Sequence, residues 1–137
     1  MHDAKILDYF DKFTLHYNTK RFNFAFDYLN DVADENQTLL DIGCGDGAIL
    51  YMIREKTPIK KIVCLDISKT YLERAKSLTG CDIIQGSILA TKDLTKYMGK
   101  FDYCVLRAVL HHLIGSSRRD SFKYAQAALR NAKRLLK

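Results

Sequence analysis

The residues best placed for chemistry lie between positions 39 and 68. Leu39-Leu40-Asp41-Ile42 is a short apolar run, and Gly43-Cys44-Gly45-Asp46-Gly47 follows with glycine at alternate positions. Glycine reaches positive φ at little cost and lets a ligand approach the backbone, and the helix expected next presents unpaired N–H groups and a positive dipole end. A plain strand-to-helix turn needs one such glycine; three point to a ligand cradle. About 20 residues on, Val63-Cys64-Leu65 ends in Asp66, a carboxylate able to accept two ribose hydroxyls. Asp66 could instead cap the next helix, but Ser68 is equally available for that task. Loop and acid together predict an adenosine-containing ligand. The spacing is G-x-G-x-G and not the G-x-G-x-x-G of pyrophosphate binders, and no G-x-x-x-x-G-K-[ST] occurs, so a dinucleotide or a loop-held triphosphate is not expected.

Other reactive side chains are sparse. His111-His112 follows a strand-like run and could take a proton from an oxygen or nitrogen, although packing beneath a ligand and opening a loop explain the pair equally simply. His16 and His2 carry weaker signals. Cys44, Cys64, Cys81 and Cys104 form no C-x-x-C pair and no cluster of ligand spacing, so they read as four buried thiols in a reducing compartment, with no zinc and no disulfide.

The elements that must hold these residues alternate. Strand-like runs at 38–42, 61–66, 82–86 and 101–107 interleave with helical patterns at 47–56, 69–79, 91–98 and 118–136. Parallel neighbours require crossovers, so this order predicts an open α/β, doubly wound, mostly parallel sheet with helices on both faces. Ahead of it, Ile6, Phe10, Phe13 and Tyr17, then Phe22, Phe26, Leu29 and Ala33, recur at helical spacing. Residues 1–36 therefore read as a helical cap or lid and 37–137 as the core. The last helix starts at a capping arrangement, Ser117 with Asp120, and its stripe Phe122, Ala125, Leu129, Ala132 and Leu136 is expected to face the sheet.

Taken together and in order, these segments resemble class I Rossmann-like S-adenosylmethionine-dependent methyltransferases. Leu40 to Gly47 is similar to that family's first motif, Val63 to Ser68 followed by Leu72-Glu73-Arg74-Ala75-Lys76 to its second, and Phe101 to Leu113 to its fourth-strand segment. Tyr9 to Asn18 is similar to the helical lead-in of many members that act on small molecules. The resemblance implies S-adenosylmethionine as cofactor. It places Asp41, Gly43, Cys44, Gly45 and Gly47 at the methionine end, Asp66 on the ribose hydroxyls, Ile67 on adenine, and Ser87 and Ile88 at the adenine edge. Leu106 and Arg107 would line the floor near the methyl group, with His111 and Tyr17 as candidates for catalytic contact. Ser87 stands where many relatives carry Asp or Glu, and a hydroxyl is a weaker acceptor than a carboxylate. Family members usually continue through three more strands, so the core reads as an incomplete, truncated version, a fragment whose 101–107 strand is an edge that is an aggregation liability unless something covers it, and whose activity in this form is in question.

With 137 residues, 47% of them apolar and 28% charged, the chain has the balance of one soluble domain. Its longest apolar run is far short of the roughly 20 residues a membrane span requires, and a basic-then-apolar leader is not seen, so a cytoplasmic enzyme is expected. The net charge of +6 gathers at the C-terminal end, where residues 115–137 hold seven Lys/Arg against one Asp. That segment reads first as a solvated face and the acceptor as a small molecule; RNA is the alternative acceptor, and a cofactor-binding or interaction module without turnover is the alternative function.

Overall fold

The computed structural model describes residues 22–137. Tyr17, His16 and the helical pattern at 6–17 lie outside the described residues. Among the described residues, five helices and four strands carry the fold: α1 (Asn23–Val32), β1 (Thr38–Ile42), α2 (Ala48–Lys56), β2 (Lys61–Asp66), α3 (Lys69–Thr79), β3 (Asp82–Gln85), the single turn α4 (Thr91–Leu94), β4 (Tyr103–Leu106) and α5 (Arg118–Leu135), with a 3-10 turn at Leu110–His112. All strand pairs are parallel, in the order β3-β2-β1-β4. The expected doubly wound α/β sheet is present.

Each face of the sheet buries its own apolar layer. On one side Leu39 and Cys64 meet Phe26 and Leu29 of α1, Ile49, Leu50 and Ile53 of α2, and Leu72 and Ala75 of α3. On the other, Leu40, Ile42, Leu65 and Ile84 meet Leu94 and the Ala128, Ala132 and Leu135 face of α5. Strand residues alternate between faces, so the continuous apolar runs of β1 and β2 are what a sheet covered on both sides requires. Of the expected cap, α1 alone is described, and its Phe26 and Leu29 stripe packs into the first layer.

Ser68 settles which side chain caps α3. Its Oγ accepts the Tyr71 N–H at 3.1 Å, and the residue is fully buried. We predict that Ser68→Ala lowers stability by about 1 kcal/mol, read as a lower urea midpoint at unchanged m.

Two expectations are corrected. The helix α5 turns Ala128, Asn131, Ala132 and Leu135 inward, while Phe122 is 65% and Leu129 51% exposed. Small side chains let the α5 backbone approach the sheet, and Asn131 donates from Nδ2 to the Ile88 carbonyl at 2.7 Å, fixing the rotation. Second, Cys64 and Cys81 are paired as a disulfide with Cα atoms 6.6 Å apart, within the span a disulfide bridges. The parallel register sets Val63 opposite Asp82, and so brings Cys81 beside Cys64, a proximity that a spacing of 17 residues along the chain does not reveal. Cys44 and Cys104 remain thiols. The expected edge strand β4 is covered at its beginning: Phe101 bridges Leu136 in parallel, Lys137 N donates to the Phe101 carbonyl at 2.9 Å, and Lys137 Nζ lies 2.9 Å from the Asp102 carboxylate. Among the described residues no helix is long and apolar enough to cross a membrane.

Candidate functional site

The site forms where β1, β2 and β4 end. β1 pairs with β2 on one side and β4 on the other, and the winding reverses between β1 and β4, the place where open α/β sheets leave a crevice beyond their strand tips. Ile42 sits opposite Leu65 and Leu106, so the glycine loop, Asp66 and Arg107 leave the sheet side by side.

The loop's shape is held by its neighbours. Gly43 donates its N–H to the Leu65 carbonyl at 2.7 Å, and Gly45 donates to Asp66 Oδ2 at 3.0 Å. Gly43, Gly45 and Gly47 all have positive φ, at 73°, 58° and 85°. Gly47 is the left-handed residue that opens α2 and has no capping side chain of its own. A Cβ on Gly43 would meet Val109 Cγ2 at 2.4 Å, so the segment after β4 closes directly over the loop. The cradle thus combines close backbone approach with a helix N-terminus, the combination that receives an anionic group.

Asp66 organises the site as well as lining it. Its Oδ1 accepts the Ser68 N–H at 2.9 Å while Oδ2 holds Gly45. A carboxylate accepts about four hydrogen bonds, so this bracing is compatible with receiving vicinal hydroxyls as well.

Asp41 and Arg107 add charge that sequence spacing did not announce. Asp41 is 3% exposed, and burial raises its carboxyl from an ordinary value near 3.8 to about 7; Arg107 pulls the other way and Asp66 adds to the rise. The native state therefore binds this proton more tightly than the unfolded chain, and stability falls as pH rises from about 4 through 7. We predict that Asp41→Asn flattens that decline and unfolds about 1–2 kcal/mol harder at pH 8, after allowing for the partner that Arg107 loses. Urea titrations at pH 5 and pH 8 measure it.

Beyond Arg107 the chain turns sharply. Ala108 holds φ at 56°, a left-handed value uncommon outside glycine, and swings Val109 onto Gly43. The His111 and His112 rings follow at 3.9 Å between centroids. Burial, with His111 beside it, holds His112 below the ordinary imidazole range, so His112 is neutral at pH 7.

The remaining expected contacts divide. Ile67 is half-buried beside Asp66, and Leu106 is half-buried at the end of β4. Ser87 uses its Oγ locally, accepting the Leu89 N–H at 3.2 Å. Ile88 is 4% exposed and its side chain lies in the second core layer with Leu94 and Ala128. The Cys44 side chain sits in the first layer, its thiol donates to the Gly45 carbonyl, and burial pushes it up far beyond reactive range. The side chains at these two positions are thus buried in the core layers. Among the described residues no three His, Cys, Asp or Glu side chains converge as metal ligands do. A separate open hollow of about 490 Å³, lined by Thr38, Asp82, Tyr97 and Lys100 among others, lies at the opposite end of the strands.

Comparison with known proteins extends the geometry. The chain is similar to the ribosomal RNA small subunit methyltransferase C of Haemophilus influenzae, 33% identical over 81 residues that make up 59% of this chain and 24% of that protein. The chain thus spans about a quarter of the length of that curated relative. In fold it is similar to the N-methyltransferase NodS of Bradyrhizobium japonicum, solved with S-adenosyl-L-homocysteine, at TM-score 0.72 and 16% identity, over 100% of this chain and 69% of that one. It is also similar to the [4+2]-cyclase SpnF, at TM-score 0.64 and 19% identity over 85% and 41% of the two chains. A family model described as a methyltransferase domain matches residues 40–137, from β1 through the glycine loop, Asp66 and the β4 tip to the end of α5. By that match, over most of its length and across every element that builds the crevice, the chain belongs to the methyltransferase-domain family.

Proposed function

We propose that the crevice binds S-adenosylmethionine and that the chain's core serves methyl transfer to an acceptor by in-line displacement. The observation that carries this reading is the unit formed by the glycine loop and Asp66, in which the acid is already braced against the Gly45 N–H at 3.0 Å. When bound, the cofactor supplies a methyl group activated by a sulfonium. Asp66 would receive the ribose hydroxyls, Ile67 would lie against adenine, and the Ser87 hydroxyl and neighbouring backbone would meet the adenine edge. The loop and the α2 N-terminus would hold the amino-acid end, with Leu106 and Arg107 on the floor. Such a displacement needs no covalent help from protein; positioning the nucleophile and excluding water are the work left to the chain. His111, exposed over the partly buried neutral His112, is the side chain we assign to hold a proton released by the acceptor.

Isothermal calorimetry with S-adenosylmethionine and its demethylated product tests the reading, with circular dichroism to establish that the protein is folded. One-site binding of both supports it; folded protein that gives no heat and no thermal shift with either removes it. The fold is also that of a cyclase, so binding of the demethylated product without methyl transfer to any acceptor would leave the second reading, a cofactor-binding module. The small-molecule reading of the acceptor rests on the segment Tyr9 to Asn18, outside the described residues. An acceptor of RNA is favoured by the outer surface of α5, and by the name of the ribosomal RNA methyltransferase among its relatives.

A further inference from the structure

The helix α5 carries six Lys/Arg against one Asp within 18 residues, in a chain whose whole net charge is +6. Its inward face is fully used by Ala128, Asn131, Ala132 and Leu135. At 3.6 residues per turn, Arg119, Lys123, Arg130 and Arg134 fall on one outward crest, opposite the core. All four are exposed. Lys123 lies 3.8 Å from Asp120, and no other cation of α5 pairs with an acid among the described residues.

One exposed ring flanks that crest. Phe122, 65% exposed, stands with Leu129, 51% exposed, on one side, whereas Tyr124 falls on the inward stripe with Ala128, Asn131 and Leu135. An excess of cations along a helix explains attraction to a polyanion; a bare aromatic face beside them adds a surface on which flat, apolar groups stack. We infer that the outward face of α5 binds single-stranded RNA, with the arginine crest on phosphates and Phe122 against a base. Arginine predominates on the crest, and its planar fork suits phosphate oxygens. A membrane surface fits less well. An interfacial helix sinks an apolar stripe between flanking cations, whereas here the cations form the summit and the apolar side chains lie to one side.

The placement leads toward the crevice. α5 begins at the end of the molecule where β4 terminates: Gly115 donates its N–H to Ser121 Oγ at 2.9 Å, and the 3-10 turn bearing His111 and His112 packs against the helix. A strand of RNA along α5 therefore reaches the tip of β4, next to Arg107. Naming RNA as the methyl acceptor rests on the proposed methyl transfer; the docking surface does not.

The test is fluorescence anisotropy of the whole chain with a labelled 16-nucleotide single-stranded RNA of mixed sequence, without cofactor, across a salt series. We expect log K to fall against log salt with a slope of about −3, as when roughly four phosphates are engaged. Arg119→Ala with Arg130→Ala should lose about half that slope. Phe122→Ala should weaken binding about tenfold and leave the slope alone. Calorimetric affinity for S-adenosyl-L-homocysteine, measured on the same variants, should not change, which separates failure of this surface from failure of the crevice. The inference is overturned if the parent does not bind RNA at low salt, if the variants bind as the parent does, or if phosphatidylserine vesicles or an acidic polypeptide compete as well as unlabelled RNA.

Discussion

Asp66→Ala should lower affinity for S-adenosyl-L-homocysteine at least 100-fold, about 3 kcal/mol, while leaving a folded protein. Two effects combine. Hydrogen bonds from ligand hydroxyls to a charged acceptor contribute roughly 1.5–3 kcal/mol each, and both are lost. The same change also releases the Gly45 N–H from its 3.0 Å partner and loosens the loop that cradles the rest of the ligand. Asp66→Asn separates the contributions. Its amide oxygen still accepts one N–H or hydroxyl, but its NH2 group cannot accept the second, so an intermediate loss of about tenfold is expected. Calorimetry on the two variants gives the order; undiminished affinity in Asp66→Ala would show that the carboxylate does not read the ligand.

Gly47→Ala should be the most destabilising single methyl addition in the loop, by about 3 kcal/mol or more, with Tm lower by roughly 10 °C. At φ 85° an L-residue already costs roughly 1–2 kcal/mol. The new Cβ would also stand 2.7 Å from Ala75 Cα and 2.9 Å from Ala75 Cβ, where α3 crosses the loop. A backbone clash of that kind is relieved only by moving a helix. Gly43→Ala provides the contrast, because its clash is with the Val109 side chain, 2.4 Å away at Cγ2. Adding Val109→Ala should therefore recover part of the loss at Gly43. Ala75→Gly should recover little at Gly47, since the clash with the α3 backbone persists. Thermal melts of the four variants decide the matter, and equal behaviour at both glycines would show that loop packing does not limit stability.

Much of this architecture could be read along the chain. Leu39 to Ile42, Val63 to Leu65 and the β4 run are apolar on both faces because both faces are covered, and the helices between them repeat at three and four residues. The glycine loop was visible for a local reason as well: its three positive φ values are met by three glycines within five residues. Ser68 as the cap of α3 was one of two options at neighbouring positions, and the hydrogen bond from Tyr71 N–H selected it. By contrast, hydrophobicity alone places the α5 stripe through Phe122 and Leu129, because it ranks them above Ala128 and Asn131. What turned the helix was room, together with the bond from Asn131 to the Ile88 carbonyl, a partner 43 residues away.

The order of strands and helices, the glycine-rich bend and the acid that follows it were determined by the sequence itself, because each depends on residue types within one or two turns of chain. The tertiary structure alone decided that Cys64 meets Cys81, that Asp41 is buried within reach of the Arg107 charge, that Ile88 points inward, and that Phe122 stands exposed beside a basic crest. These outcomes depend on the register between strands and the rotation of a helix over a sheet. Both are set by packing between segments far apart in the chain, where spacing along the sequence carries no distance information.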